Sequence, residues 1–73
     1  MTKLREAREI NGFERKYIAK KLGITADHLN VIERGTIALD LNKIELLAKL
    51  YNVTFEEMAR IALETKKGCE KNG

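Results

Sequence analysis

The chain has 73 residues and a net charge of +3, from 14 Lys and Arg against 11 Asp and Glu. This length fits one domain with a modest core, and no apolar run approaches the roughly 20 residues of a membrane-spanning helix. The charged N-terminus argues against a secretory signal. A single cysteine, Cys69, cannot form an intramolecular disulfide, and one cysteine with one histidine is too few for a zinc site. We therefore expect a cytoplasmic protein without metal or cofactor.

Apolar spacing along the chain predicts five helices and no strand. Thr2 is placed to cap the first helix, which runs to about Asn11 and is closed by Gly12. Its expected inward-facing residues are Leu4, Ala7 and Ile10.

The second and third helices are the most informative pair. They are predicted over residues 14–22 and from residue 25 to about 34, with Gly35 after the third. Ala19 is small enough for a close crossing of the two helices, and Gly23 suits a tight turn in which positive φ would strain other residues. The apolar seam between them comprises Ile18, Leu22, Ile24, Leu29 and Ile32. Such a pair is typical of a helix-turn-helix, which reads the major groove of DNA.

The fourth and fifth helices follow a short loop. Asp40 is expected to cap the fourth, Asn52 to end it in the left-handed conformation, and Thr54 to cap the fifth. Their expected core residues are Leu41, Ile44, Leu47 and Ala48 in the fourth helix, and Phe55, Met58, Ala59 and Ala62 in the fifth. We place a single domain at residues 1–65 and a flexible polar tail at residues 66–73.

The order and spacing of these features resemble the lambda-repressor-like, Cro-type helix-turn-helix domains of the XRE family. The similarity covers residues 3 to about 63. Its fragments are LREARE, Ile18-Ala19, Leu22-Gly23, Ile32-Glu33-Arg34-Gly35, Leu47-Ala48-Lys49-Leu50, Asn52-Val53 and Thr54-Phe55-Glu56-Glu57. The resemblance implies a compact all-α fold of five helices. It also implies an ion pair between Arg8 and Glu33, for which two unpaired surface charges are the alternative.

The resemblance also places the DNA contacts, at the start of the second helix and along the third. Arg15 replaces the usual glutamine and can bind a phosphate or a guanine edge. Asp27 can accept from cytosine, Asn30 can pair with adenine, and Ala26 and Val31 can contact a thymine methyl. Asp27 and His28 also fit as plain exposed residues of a first turn. Lys43 is a further phosphate contact or simply part of a solvated helix end. The predicted interface is Arg15, Lys16, Thr25, Ala26, Asp27, His28, Asn30, Val31, Arg34 and Thr36.

Charge supports this placement, because residues 1–34 contain eight Lys or Arg against five Asp or Glu, and residues 35–73 contain six of each. We therefore expect a sequence-specific transcriptional regulator of the phage-type or bacterial repressor kind that binds double-stranded DNA. A protein-binding module of the same fold, such as an antirepressor or antitoxin, is the second hypothesis. An enzyme is not expected, because His28 has no nucleophile nearby and the carboxylates are scattered over helix surfaces.

Apolar side chains outside the expected core suggest a homodimer. They lie in the loop after the third helix and on the fifth helix, and they are Ile37, Leu39, Ile61 and Leu63. A dimer would place two recognition helices about one DNA turn, roughly 34 Å, apart. The alternative is a fifth helix packed deeply in the core of a monomer.

Overall fold

The computed structural model describes residues 1–68, which form five α-helices around one apolar core. The helices are α1 (Lys3–Ile10), α2 (Arg15–Leu22), α3 (Ala26–Glu33), α4 (Leu41–Leu50) and α5 (Phe55–Lys67). No strand occurs within residues 1–68, and the predicted all-α, five-helix fold is confirmed. In this part of the chain, no helix has the length and apolar character needed to cross a membrane.

Side-chain caps begin four of the five helices. In each case the side-chain oxygen accepts a hydrogen bond from the backbone N–H three residues later, as predicted for Thr2, Thr25, Asp40 and Thr54. These bonds satisfy N–H groups that have no partner inside the helix. Glu14 differs from its prediction as a helical residue, because it is the N-cap of α2 and makes no side-chain cap bond.

A left-handed residue follows the end of each of the first four helices. These residues are Gly12, Gly23, Gly35 and Asn52. At Gly23, where φ is 73°, the next amide, that of Ile24, donates to the Ala19 carbonyl at 3.0 Å. This bond ends α2 and turns the chain directly into α3. Asn52, with φ of 57°, adopts the conformation predicted for it.

The core lies where α2 packs on α3, α4 on α5 and α1 on α5. Its buried hydrophobic residues are Leu4, Ile18, Ala19, Leu22, Leu29, Ile32, Ile44, Leu47, Ala48, Tyr51 and Met58. Two buried residues were not predicted. Tyr51 continues the buried side of α4 beyond its last turn and stacks on Phe13, with ring centroids 5.7 Å apart. Thr65 accepts a hydrogen bond from the Leu4 amide at 2.9 Å and so joins α5 to α1.

Three residues predicted to face the core are exposed instead. Ile10 is 78% exposed because it follows the buried Arg8 by two positions, which turns it about 200° around the helix. Leu41 and Phe55 are 71% and 43% exposed; each is the first residue of its helix, beyond the packed stretch. Lys66 and Lys67, which the prediction assigned to the tail, belong to α5. Cys69 and the rest of the predicted tail lie outside the described residues.

Candidate nucleic-acid interface

A buried ion pair fixes the C-terminal end of α3 to α1. Arg8 Nε donates to Glu33 Oε2 at 2.6 Å and Arg8 Nη2 to Glu33 Oε1 at 3.2 Å, while Nη1 donates to the Phe13 carbonyl at 2.9 Å. The Glu33 side chain is only 1% exposed. The Thr2 hydroxyl donates to the Glu33 backbone carbonyl. The ion pair that the family resemblance implied is therefore present. Together with the bond from Thr2, the N-cap of α1, it fixes the orientation of α3 relative to α1.

A second arginine approaches the same carboxylate from α2. Arg15 Nε lies 3.5 Å from Glu33 Oε1, at the weak end of hydrogen bonding, and the Arg15 side chain is part-exposed. This contact places the N-terminus of α2 beside the C-terminus of α3. The exposed Lys16 follows Arg15, and Arg34 is the C-cap of α3. Three cationic residues are thus held near one end of the predicted recognition helix.

Arg34 has a buried nitrogen with no partner. Its Nε is inaccessible to solvent and makes no hydrogen bond among the described residues. The residue as a whole is half-buried. Packing therefore restrains the Arg34 guanidinium at this end of α3.

The two sides of α3 differ in exposure. Leu29, Ile32 and Glu33 are buried on the inner side. Successive residues are turned by about 100°, so Asp27, Val31 and Arg34 share the opposite side. We call these three residues the outer stripe. Asp27 is exposed, and Val31 and Arg34 are half-buried.

Several of the remaining predicted contact residues surround the outer stripe. His28 is exposed and Asn30 half-buried at its margins, while Thr36 is exposed beyond the end of α3. Thr25 is occupied as the cap, since it accepts from the His28 amide at 3.0 Å. Ala26 is half-buried and packs against the core, and the thymine-methyl contact suggested for it stays a prediction.

The start of α4 offers less than the sequence suggested. Asp40 accepts a hydrogen bond from the Lys43 backbone amide at 2.8 Å and from Lys43 Nζ at 3.0 Å. The backbone hydrogen bond and then the side-chain bond from Lys43 hold the pKa of the Asp40 carboxyl below its usual value of 3.8. One of the three donors of the Lys43 ammonium therefore meets Asp40, and the phosphate contact considered for Lys43 stays a prediction.

An apolar groove lies on another side of the molecule, between α4, α5 and the loop after α3. It has a volume of about 250 Å³ and is lined by Ala38, Leu39, Ile44, Ala59, Ala62, Leu63 and Lys66. Two predicted dimer residues, Leu39 and Leu63, therefore lie together, next to the exposed Ile37. Ile61 does not join them, because it packs against the core and is turned about 200° from Leu63. Ala59 and Lys66 also line the groove but were not among the predicted dimer residues, although both repeat at helical spacing with Leu63.

Comparison with known proteins identifies one family. The helix-turn-helix family model matches residues 4–58, which is more than half of the chain and includes α2 and α3. No curated protein and no solved structure matches the chain.

Proposed function

Because the chain belongs to the helix-turn-helix family of DNA-binding regulators, we propose that it is a sequence-specific transcriptional regulator that inserts α3 into the major groove. The observation that carries the proposal is the outer stripe, in which Asp27 is exposed and Val31 and Arg34 are half-buried, on a helix whose other side is anchored in the core. An α-helix fits the major groove, which is about 12 Å wide. The proposed outcome is repression, because a protein bound at an operator excludes other proteins from it.

The cations near the C-terminus of α3 are assigned to the DNA backbone. Lys16 is exposed at the start of α2, and Arg15 keeps donors beyond the one that meets Glu33. Such residues fix the register of a helix on the duplex without reading its sequence. The bases are assigned to Asp27 and Val31 of the outer stripe and to the neighbouring His28 and Asn30.

Binding to a random duplex pool at several salt concentrations tests this proposal. We expect selection of a defined sequence, with a log affinity that falls linearly with log salt. Lys16→Ala should weaken binding to all sequences alike and reduce the salt slope by about 0.9. Lys49→Ala is the matched control, since it removes the same charge from an exposed site on α4. No salt-dependent binding to any duplex would contradict DNA binding and favour the protein-binding alternative.

We also propose that the protein is a homodimer through the groove on α5. Phe55, Ala59, Ala62 and Lys66 repeat along one side of a 13-residue helix. Two copies packed antiparallel would bring acidic Glu56, near the start of α5, opposite basic Lys66 at its end. The surface is therefore complementary to itself in both polarity and charge.

The dimer is tested by sedimentation equilibrium across a range of protein concentrations. We expect a concentration-dependent mass that approaches two chains for the unaltered protein. Leu63→Glu should leave a folded monomer, whereas Leu46→Glu, at an exposed leucine outside the groove, should still dimerise. A monomer mass at every concentration would rule out the dimer while leaving the DNA-binding proposal in place.

A further inference from the structure

Asp27 carries an exposed carboxylate in the first turn of α3 that no described residue binds. The helix does not need it as a cap, because Thr25 already accepts the hydrogen bond from the His28 amide. Favourable interaction with the helix dipole is the remaining role for Asp27 within the fold, and this interaction is weak for a side chain exposed to solvent in the first turn. The carboxylate is thus available to a ligand.

The position of Asp27 separates it from the cations of the interface. It lies at the N-terminal end of the outer stripe, whereas Arg15 and Arg34 are held at the C-terminal end of α3. An acidic residue in a DNA interface is repelled by phosphates. Its charge is best tolerated where the helix meets base edges, with the cations meeting the backbone.

Major-groove chemistry restricts what this carboxylate can face. An ionised carboxylate only accepts hydrogen bonds. Guanine presents two acceptors and thymine presents O4, so both repel it, while cytosine N4 and adenine N6 donate. Adenine also presents the acceptor N7 beside its amino group, whereas cytosine has no acceptor on this edge. Cytosine is therefore the base that satisfies Asp27 without a competing repulsion.

Resting on the proposed function, we propose that Asp27 is a specificity-determining residue that selects a cytosine in each half of the operator. It does so mainly by rejecting the other bases, since a mismatched pair leaves a desolvated carboxylate opposite an acceptor. The same charge lowers affinity for unrelated DNA. Asp27 therefore widens the gap between the operator and other sequences.

Parallel selections with four proteins test this assignment. The unaltered chain should select cytosine at one position of each half-site, by about fivefold or more over the next base. Asp27→Asn should shift that position to adenine, because an amide can both accept from N6 and donate to N7. Asp27→Ala should lose preference at that position alone. Glu64→Gln removes the same charge from an exposed site on α5 and should leave the selected sequence unchanged.

The outcomes separate this inference from the proposed function. If the unaltered protein selects a sequence and Asp27→Asn selects the same one, Asp27 does not determine specificity, and the DNA-binding proposal stands. If no protein selects any sequence, both fail. Thermal unfolding of each variant provides the readout for a helix-dipole role, which would lower the midpoint without changing the selected base.

Discussion

The inner and outer sides of α3 and its C-cap, Arg34, are determined by different interactions. On the inner side, Leu29 and Ile32 are buried, and Glu33 is bound by two arginines and, through its carbonyl, by Thr2. On the outer side, Asp27 has no partner among the described residues. The comparison indicates that the fold specifies the inner side, whereas the proposed function assigns the outer side to DNA. Changes to the inner side should therefore alter stability, and changes to the outer side should alter binding.

The largest effect is expected for Glu33→Ala. Removing the carboxylate leaves the buried Arg8 guanidinium with only the exposed Glu9 carboxylate, 3.9 Å away, as a counter-charge. Loss of one partner of a buried pair costs about 3–5 kcal/mol in comparable cases. Urea denaturation would measure the loss in the free energy of unfolding. Glu45→Ala, at an exposed glutamate of α4, should change it by less than about 0.5 kcal/mol. Equal effects of the two substitutions would mean that the buried pair does not anchor α3.

The free energy of unfolding should also depend on alkaline pH, through the buried Tyr51 near Glu33. Burial raises the pKa of the Tyr51 phenol above its ordinary 10.0, and the nearby Glu33 carboxylate raises it further, although Arg8 acts in the opposite direction. The unfolded chain therefore releases this proton before the folded one does. The contribution of the Tyr51 phenol to the free energy of unfolding is therefore complete below pH 10. Above pH 10 the free energy of unfolding falls by up to about 1.4 kcal/mol per pH unit.

Tyr51→Phe removes the titrating group and should flatten this decline. The measurement is urea denaturation between pH 9 and 11 in parallel for both proteins. Tyr17→Phe is the control, because it removes an exposed phenol and should keep the slope of the unaltered chain. A Tyr51→Phe protein with the full original slope would show that another group causes the decline.

A smaller loss is expected for Gly23→Ala, at the turn that joins α2 to α3. Its φ of 73° costs a residue with a Cβ about 1–2 kcal/mol, although no atom lies within 4 Å of the position that the Cβ would take. Gly23→Asn should lose less, because asparagine tolerates this conformation, as Asn52 does after α4. Thermal unfolding of both variants checks the order. Equal midpoints for the alanine and asparagine variants would indicate a cause other than backbone strain.

The sequence predicted those features that depend on neighbouring residues. The caps at Thr25 and Asp40 and the left-handed Asn52 follow from local hydrogen bonding and backbone preference, and all three are present. The errors arise where burial depends on distant elements. Ile10 has the hydrophobicity of a core residue but no helix covers it, and Tyr51 is buried by contacts such as its stacking on Phe13.

The candidate site, like the fold, could be predicted only in part. The positions on α3 came from the family resemblance, but their division between inner and outer sides required the packed structure. Ala26 shows this, because a small apolar side chain suits both a thymine methyl and a core contact. The base preference of the outer stripe is not fixed by packing at all, so it has to be measured on DNA.

The smallest effect on stability, and the sharpest test of the comparison, is expected for Val31→Ala. Alanine favours the helix and offsets the loss of a half-buried side chain, so the free energy of unfolding should change by less than about 0.5 kcal/mol. The inner-side counterpart, Leu29→Ala, should lose about 2–5 kcal/mol.

For DNA binding by the folded proteins, Val31→Ala should have the larger effect and Leu29→Ala the smaller one. If Val31 contacts a thymine methyl, replacing that thymine by uracil weakens binding of the unaltered chain but not of Val31→Ala, because the variant has already lost the contact. Competition titrations with the two duplexes measure this difference directly. Equal sensitivity of both proteins to the missing methyl would remove Val31 from the reading surface. A large stability loss in Val31→Ala would show that the outer stripe, too, is held by the fold.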